Sequence, residues 1–236
     1  ISEYVKETMA KKYNLTTNNI SVINRGIDTE YFNQSVDVKK RDNLIKTHQI
    51  DILKKIILFP ARLTSWKGQL EFIDVMKKID TKNVLVLFVG DTKNLRYTKL
   101  VRDKINQYNF TSICKILGSL DQDEMRILYQ IADISVSFPL RAEGFGRTIS
   151  ESLYSNTPVI AFDYGGAKNQ LENLSDLFKV KPHDYKDLPS KIEVLLNLSD
   201  NQKKEKLQNA QQVIKKNFSK INMVNQYMKL YESVKF

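Results

Sequence analysis

The chain has 236 residues, 42% hydrophobic and 27% charged, with 37 basic against 27 acidic side chains and a net charge of +10. That length can bury a sizeable core unaided. One cysteine, Cys114, excludes a disulfide framework or a cysteine zinc cage, and two histidines, His48 and His183, leave little for a histidine-built metal site. No apolar run nears the roughly 18 residues of a membrane-spanning helix.

Helical spacing predicts a short helix over Ser2–Tyr13, and an apolar run predicts a strand at Ile20–Ile23. The polar stretch Asn33–Asn43 reads as a linker or loop. From there strands and helices alternate. The strands are Ile56–Pro60, Val84–Val89, Ile113–Leu117, Ile134–Phe138 and Pro158–Phe162. Between them run helical patterns carried by Phe72, Val75, Met76 and Ile79; by Tyr97, Val101, Ile105 and Tyr108; by Met125, Leu128, Tyr129 and Ala132; and by Phe145, Ile149 and Leu153. Strands that are continuous apolar runs suit a parallel sheet covered on both faces. The repeated rhythm predicts a doubly wound, Rossmann-like α/β domain. After Asp184 the pattern turns largely helical, giving a helical C-terminal tail.

The positive charge concentrates in that tail. Residues 201–236 hold eight lysines against two glutamates, a net of +6. The lysines are interleaved with Leu207, Ala210, Val213, Ile214 and Phe218 at helical spacing, which reads first as a solvated helix face. Contact with an anionic membrane surface is the second reading. Nucleic acid is the third, and no RNP signature or zinc finger accompanies the charge.

Two segments carry candidate chemistry. Glu143-Gly-Phe-Gly-Arg-Thr-Ile-Ser-Glu151 leaves a strand and opens a helix. Glycines there let backbone N–H groups approach an anion, and the helix N-terminus adds about half a positive charge. A tight packing turn is the competing reading. Glu143 and Glu151 lie eight residues apart, about 12 Å along a helix, so they make a poor acid/base pair. They suit two acceptors on separate parts of a long ligand. The second segment, Arg62-Leu-Thr-Ser-Trp-Lys67-Gly68, follows another strand at the edge where open α/β sheets bind ligands. A planar guanidinium with a point-charge ammonium suits a diphosphate, although Arg and Lys in a loop are also ordinary surface residues.

In order and rough spacing, Arg62-Leu-Thr-Ser-Trp-Lys67-Gly, Val89-Gly90-Asp91, Gly118-Ser119-Leu, Glu143-x7-Glu151, Pro158-Val-Ile-Ala and Gly165-Gly166 resemble the retaining glycosyltransferases of family 4, which have the two-domain GT-B fold. Asn24-Arg-Gly-Ile-Asp-Thr-Glu-Tyr-Phe32 is similar to that family's interdomain signature. The resemblance implies a nucleoside-diphosphate sugar as donor and a saccharide or lipid-linked acceptor. It implies that Arg62 and Lys67 hold the diphosphate, that Glu151 accepts from the ribose hydroxyls, and that Glu143 holds the transferred sugar. The backbone from Gly144 through Phe145, Gly146 and Arg147 to Thr148 would touch sugar and phosphate, and Gly90, Gly118 and Ser119 would border the base.

No metal and no separate cofactor is implied. Asp121-Gln-Asp123, with Glu124 following, fits a helix cap better than a metal pair. The resemblance further implies transfer with retention, in lipopolysaccharide, glycolipid or polysaccharide synthesis, on the cytoplasmic side of a membrane with peripheral contact. Residues 1–32 would be the end of a first domain and the junction, 33–218 the donor-binding domain, and 219–236 a crossover helix carrying Ile221, Val224, Met228, Tyr231 and Val234. The first residue is not Met, and the expectation is a piece of a longer protein lacking about one domain upstream. Two departures stand out: Asn169 where the family often has glutamate, and Arg25 inserted at the junction. The alternative is a non-catalytic nucleotide-sugar-binding or interaction module.

Overall fold

The computed structural model describes residues 1–233. Its centre is a six-stranded, all-parallel sheet in the order β3-β2-β1-β4-β5-β6. These strands are β1 (Lys55–Pro60), β2 (Val84–Val89), β3 (Cys114–Gly118), β4 (Ile134–Ser137), β5 (Val159–Phe162) and β6 (Lys179–Val180). Every residue of β2 and all but the first of β1 are buried, as a sheet covered on both faces requires. In register, Lys55 to Pro60 of β1 pair with Val84 to Val89 of β2, and Ile57 of β1 pairs with Ile134 of β4.

Helices α4 (Gln69–Met76), α5 (Leu95–Gln107), α6 (Gln122–Ile131), α7 (Arg147–Tyr154) and α8 (Gly166–Leu171) follow β1 to β5 in turn. Phe59, Phe72, Phe88, Phe138 and Phe162 meet edge-on, tilted or stacked at the centre of the core. Each such ring contributes about 1.5–3 kcal/mol by leaving water. Helices α9 (Leu188–Leu196) and α10 (Asp200–Asn217) complete the layers. Helix α10 buries Leu207, Ala210 and Ile214 against α7 and leaves most of its lysines outward, as the solvated-face reading expects. No helix among the described residues is long and apolar enough to cross a membrane.

Three expectations need correction. Ile20–Ile23 is no strand: a 3₁₀ turn at Thr17–Asn19 precedes it, and the isolated bridge of this region lies beyond it, from Ile27 to Ser219. With no partner strand beside it, an apolar run stays extended but unladdered. The linker at 33–43 ends early, because Asp37 caps Lys39 and Lys40 N–H and starts helix α3 (Val38–Thr47). Ile79, Tyr108, Ala132 and Phe145 sit just outside their helices: past the C-cap of α4, at the C-caps of α5 and α6, and before the N-cap of α7.

At the chain's start, α1 (Glu3–Tyr13) is capped by the buried Ser2 and packs on α8. The junction is tied to the far end of the sequence. Ile27 N–H donates to Phe218 O at 2.8 Å, and Lys220 N–H donates to Ile27 O at 2.7 Å. Helix α11 (Lys220–Ser233), which begins there, buries none of its residues. Val234 of the expected stripe lies outside the described residues.

Candidate functional site

Parallel strands deliver all their following loops to one edge, and the order reverses between β1 and β4. That reversal opens a crevice between the loop after β1 and the loop after β4. The first carries Arg62 and Lys67, the second Glu143 to Thr148, and the two are joined by an ion pair between Lys67 Nζ and Glu143 Oε1. Two charged segments 76 residues apart in sequence thus meet across the switch point.

Local sequence explains each loop. Gly68, with φ +84, caps α4, and a Cβ there would lie 2.1 Å from Phe138 O. Only glycine permits that approach. The buried Gln69 donates to Arg62 O at 2.9 Å, and Leu140 N–H donates to Trp66 O at 2.7 Å, so the Arg62–Lys67 loop is anchored from both neighbours. Lys67 lies over the Trp66 ring, 4.5 Å from its centroid. Arg62 itself is exposed and forms no ion pair among the described residues. The loops bearing Gly90 and Gly118 are joined by Gly90 N–H to Gly118 O at 2.8 Å, and Ser119 beside them is exposed.

Opposite, Gly146 takes a left-handed turn and starts α7, placing Arg147 and Thr148 in its first turn. Around this turn lie Gln170 and Tyr164, which sequence spacing missed, and Gly166, which it named. Gln170, fully buried, donates through Nε2 to Phe145 O at 2.5 Å and accepts from Ser150. Gly166 N–H donates to Glu143 O at 2.8 Å. Tyr164 donates to Pro139 O; burial, with Glu143 nearby, pushes its hydroxyl up to about 12. Ile1, ahead of α1, and Val5 on it lie against Gly144.

Glu151 stands in a separate network. Its Oε1 accepts from Arg147 at 2.9 Å, and its Oε2 accepts from the Tyr129 hydroxyl at 3.0 Å. Burial raises its carboxyl, while Arg147 and the Tyr129 hydroxyl pull it back. The two glutamates thus have different neighbours, and Glu143 lies in the loop ahead of α7 while Glu151 is on the helix itself. Asp121 and Glu124 form the expected capping box on α6. Asp123 accepts from Tyr31 at 2.5 Å and Lys40 at 2.6 Å, so it too is engaged structurally. Asn169 is half-buried and Arg25 exposed.

The glycine contacts predict a ranking. A Cβ at Gly166 would lie 2.3 Å from Gly144 O and 2.4 Å from Phe145 Cα, whereas one at Gly118 meets nothing within 4 Å. Gly166→Ala should therefore cost about 1–3 kcal/mol by overpacking. Gly118→Ala should cost only the left-handed strain of about 1–2 kcal/mol. Urea midpoints of the two variants check the order, and only Gly166→Ala should disturb ligand binding through the Glu143 loop.

The family description "Glycosyl transferases group 1" matches residues 40–214. The chain belongs to that family. A trehalose synthase of Thermococcus litoralis is 29% identical over 196 residues, which are 80% of this chain and 47% of that protein. A crystal structure of a glycosyltransferase from Rickettsia africae superposes with a TM-score of 0.91 at 29% identity, over 98% of this chain and 62% of that one. Anabaena HepE, solved in complex with UDP-glucose, shares the fold with a TM-score of 0.85 at 23% identity, over 99% of this chain and 62% of its own. The chain spans about half the length of the curated relatives it matches. The glycosyltransferase domain and its open parallel sheet thus stand as the sequence motifs implied.

Proposed function

We propose that this chain is the donor-binding half of a retaining family 4 glycosyltransferase, taking a nucleoside-diphosphate sugar. The observation that carries the reading is the meeting of Lys67 with Glu143 across the switch-point crevice, beside the start of α7. Lys67 and Arg62 hold the diphosphate together with the α7 N-terminus. Glu151 takes the ribose and Glu143 the sugar. Negative charge grows on the diphosphate as the glycosidic bond breaks, and these cationic groups stabilise it most in the transition state. The UDP-glucose complex of Anabaena HepE supports a nucleotide-sugar donor through the shared fold. The acceptor, saccharide or lipid-linked, belongs to the whole protein, in lipopolysaccharide, glycolipid or polysaccharide synthesis on the cytoplasmic side. The lysine-rich face of α10 is the part of the chain suited to an anionic membrane surface.

The test is calorimetric titration with UDP, GDP and ADP in the presence of EDTA. Binding of at least one of them without divalent metal is expected. No heat with any of the three at millimolar concentration would overturn the proposal.

A further inference from the structure

Tyr129 is fully buried on α6, yet it is a tyrosine. Where packing alone matters, this core uses phenylalanine, as at Phe59, Phe72, Phe88, Phe138 and Phe162. A phenol is harder to bury than a phenyl ring unless its O–H finds a partner. The partner is Glu151 Oε2, at 3.0 Å. The ring is fixed as well: it lies edge-on to Phe32 at 6.3 Å, and the Tyr129 carbonyl accepts from the Thr157 hydroxyl. The hydroxyl therefore comes from a rigid place.

Glu151 needs such a support. Its side chain is 13% exposed, and its other oxygen is held by Arg147, whose side chain is 48% exposed at the first position of α7. An exposed arginine is a mobile tether. Without the hydroxyl, the carboxylate would follow Arg147 through its own rotamers, and ordering it would cost ligand affinity. With the hydroxyl in place, one oxygen is pinned from inside. A carboxylate has about four acceptor sites, and the two not used by Tyr129 and Arg147 remain for a ligand.

We infer that Tyr129 is a positioning residue, whose hydroxyl orients the Glu151 carboxylate to accept from the two ribose hydroxyls of the nucleotide. This deepens the donor-site reading and rests on its assignment of Glu151. It makes Tyr129 responsible for discrimination at the ribose, although it touches no ligand.

Tyr129→Phe removes the hydroxyl and keeps the ring against Phe32. The test compares the chain, this variant, Glu151→Ala and the double variant in titrations with UDP, GDP and ADP and with the 2′,3′-dideoxy form of each. The unaltered chain should prefer the ribonucleotide by about ten- to hundredfold, the range for hydrogen bonds to a charged acceptor. Tyr129→Phe should lose most of that preference while binding the dideoxy form as before. In the Glu151→Ala background it should change nothing further. A purely structural role would lower affinity for both forms alike, and that result would overturn the inference. So would an unchanged ribose preference in Tyr129→Phe. If the unaltered chain shows no ribose preference and Glu151→Ala has no effect, the assignment of Glu151 falls first and the inference with it.

Discussion

Lys67→Ala should weaken nucleoside diphosphate binding by about ten- to hundredfold and, separately, destabilise the unliganded chain. The two effects have different sources. Affinity falls because the ammonium is one of the two cations on the β1 side of the crevice, the one that reaches the loop leading into α7. Stability falls because Glu143, only 18% exposed, loses its counter-charge. A partly buried carboxylate left without its partner costs about 1–3 kcal/mol, and the Trp66 contact is lost as well. The double change Lys67→Ala/Glu143→Ala should therefore recover most of the stability and none of the affinity. Glu143→Ala alone should release Lys67 toward the diphosphate, sparing free nucleotide and harming only the sugar conjugate. Urea midpoints and calorimetry on the four proteins form a double-mutant cycle. Equal loss of free-nucleotide affinity in both single variants would place Glu143 on the nucleotide and refute this division.

The features legible in the sequence were those encoded locally. β1 and β2 are unbroken apolar runs because both sheet faces are covered, so their period and length suffice to find them. Gly-x-Gly between a strand and a helix, and Arg62 with Lys67 after another strand, are short-range signals of the same kind. Helix α3 escaped because its middle, Lys39 to Asn43, is polar and Leu44 is its only buried residue. The usable signal was its cap, Asp37. β6 has two residues and no pattern of its own; it exists because the edge of β5 was open. Gln170 and Tyr129 escaped for a third reason. Each reads as an ordinary helix residue, and its meaning lies in a partner 22 or 25 positions away that only the fold brings close.

The other large effect concerns turnover. We expect the 236-residue chain to bind donor and transfer no sugar, while a longer product of the same gene carrying an additional domain transfers it. The expected docking place for such a domain is helix α11. Ile221, Val224, Met228 and Tyr231 form an apolar face that the chain's own core leaves 59%, 47%, 54% and 67% exposed. A groove of about 240 Å³ between Ile221, Val224 and the start of the short helix Thr29–Phe32 continues that face. These four side chains are therefore not packed into the chain's own core. A stripe of this kind needs a covering surface, and the curated relatives are about twice as long as the matched region. Bringing a second domain over the crevice would exclude water and align the acceptor, and orientation of that kind supplies about 7–11 kcal/mol of a barrier. A labelled-donor assay comparing the short and long proteins tests this. Ile221→Lys with Met228→Lys adds a control: it should leave nucleotide binding by the short chain intact and abolish transfer by the long one. Robust turnover by the short chain alone would show that the donor half is sufficient. No turnover by a folded long protein across a broad donor and acceptor panel would instead favour a binding module.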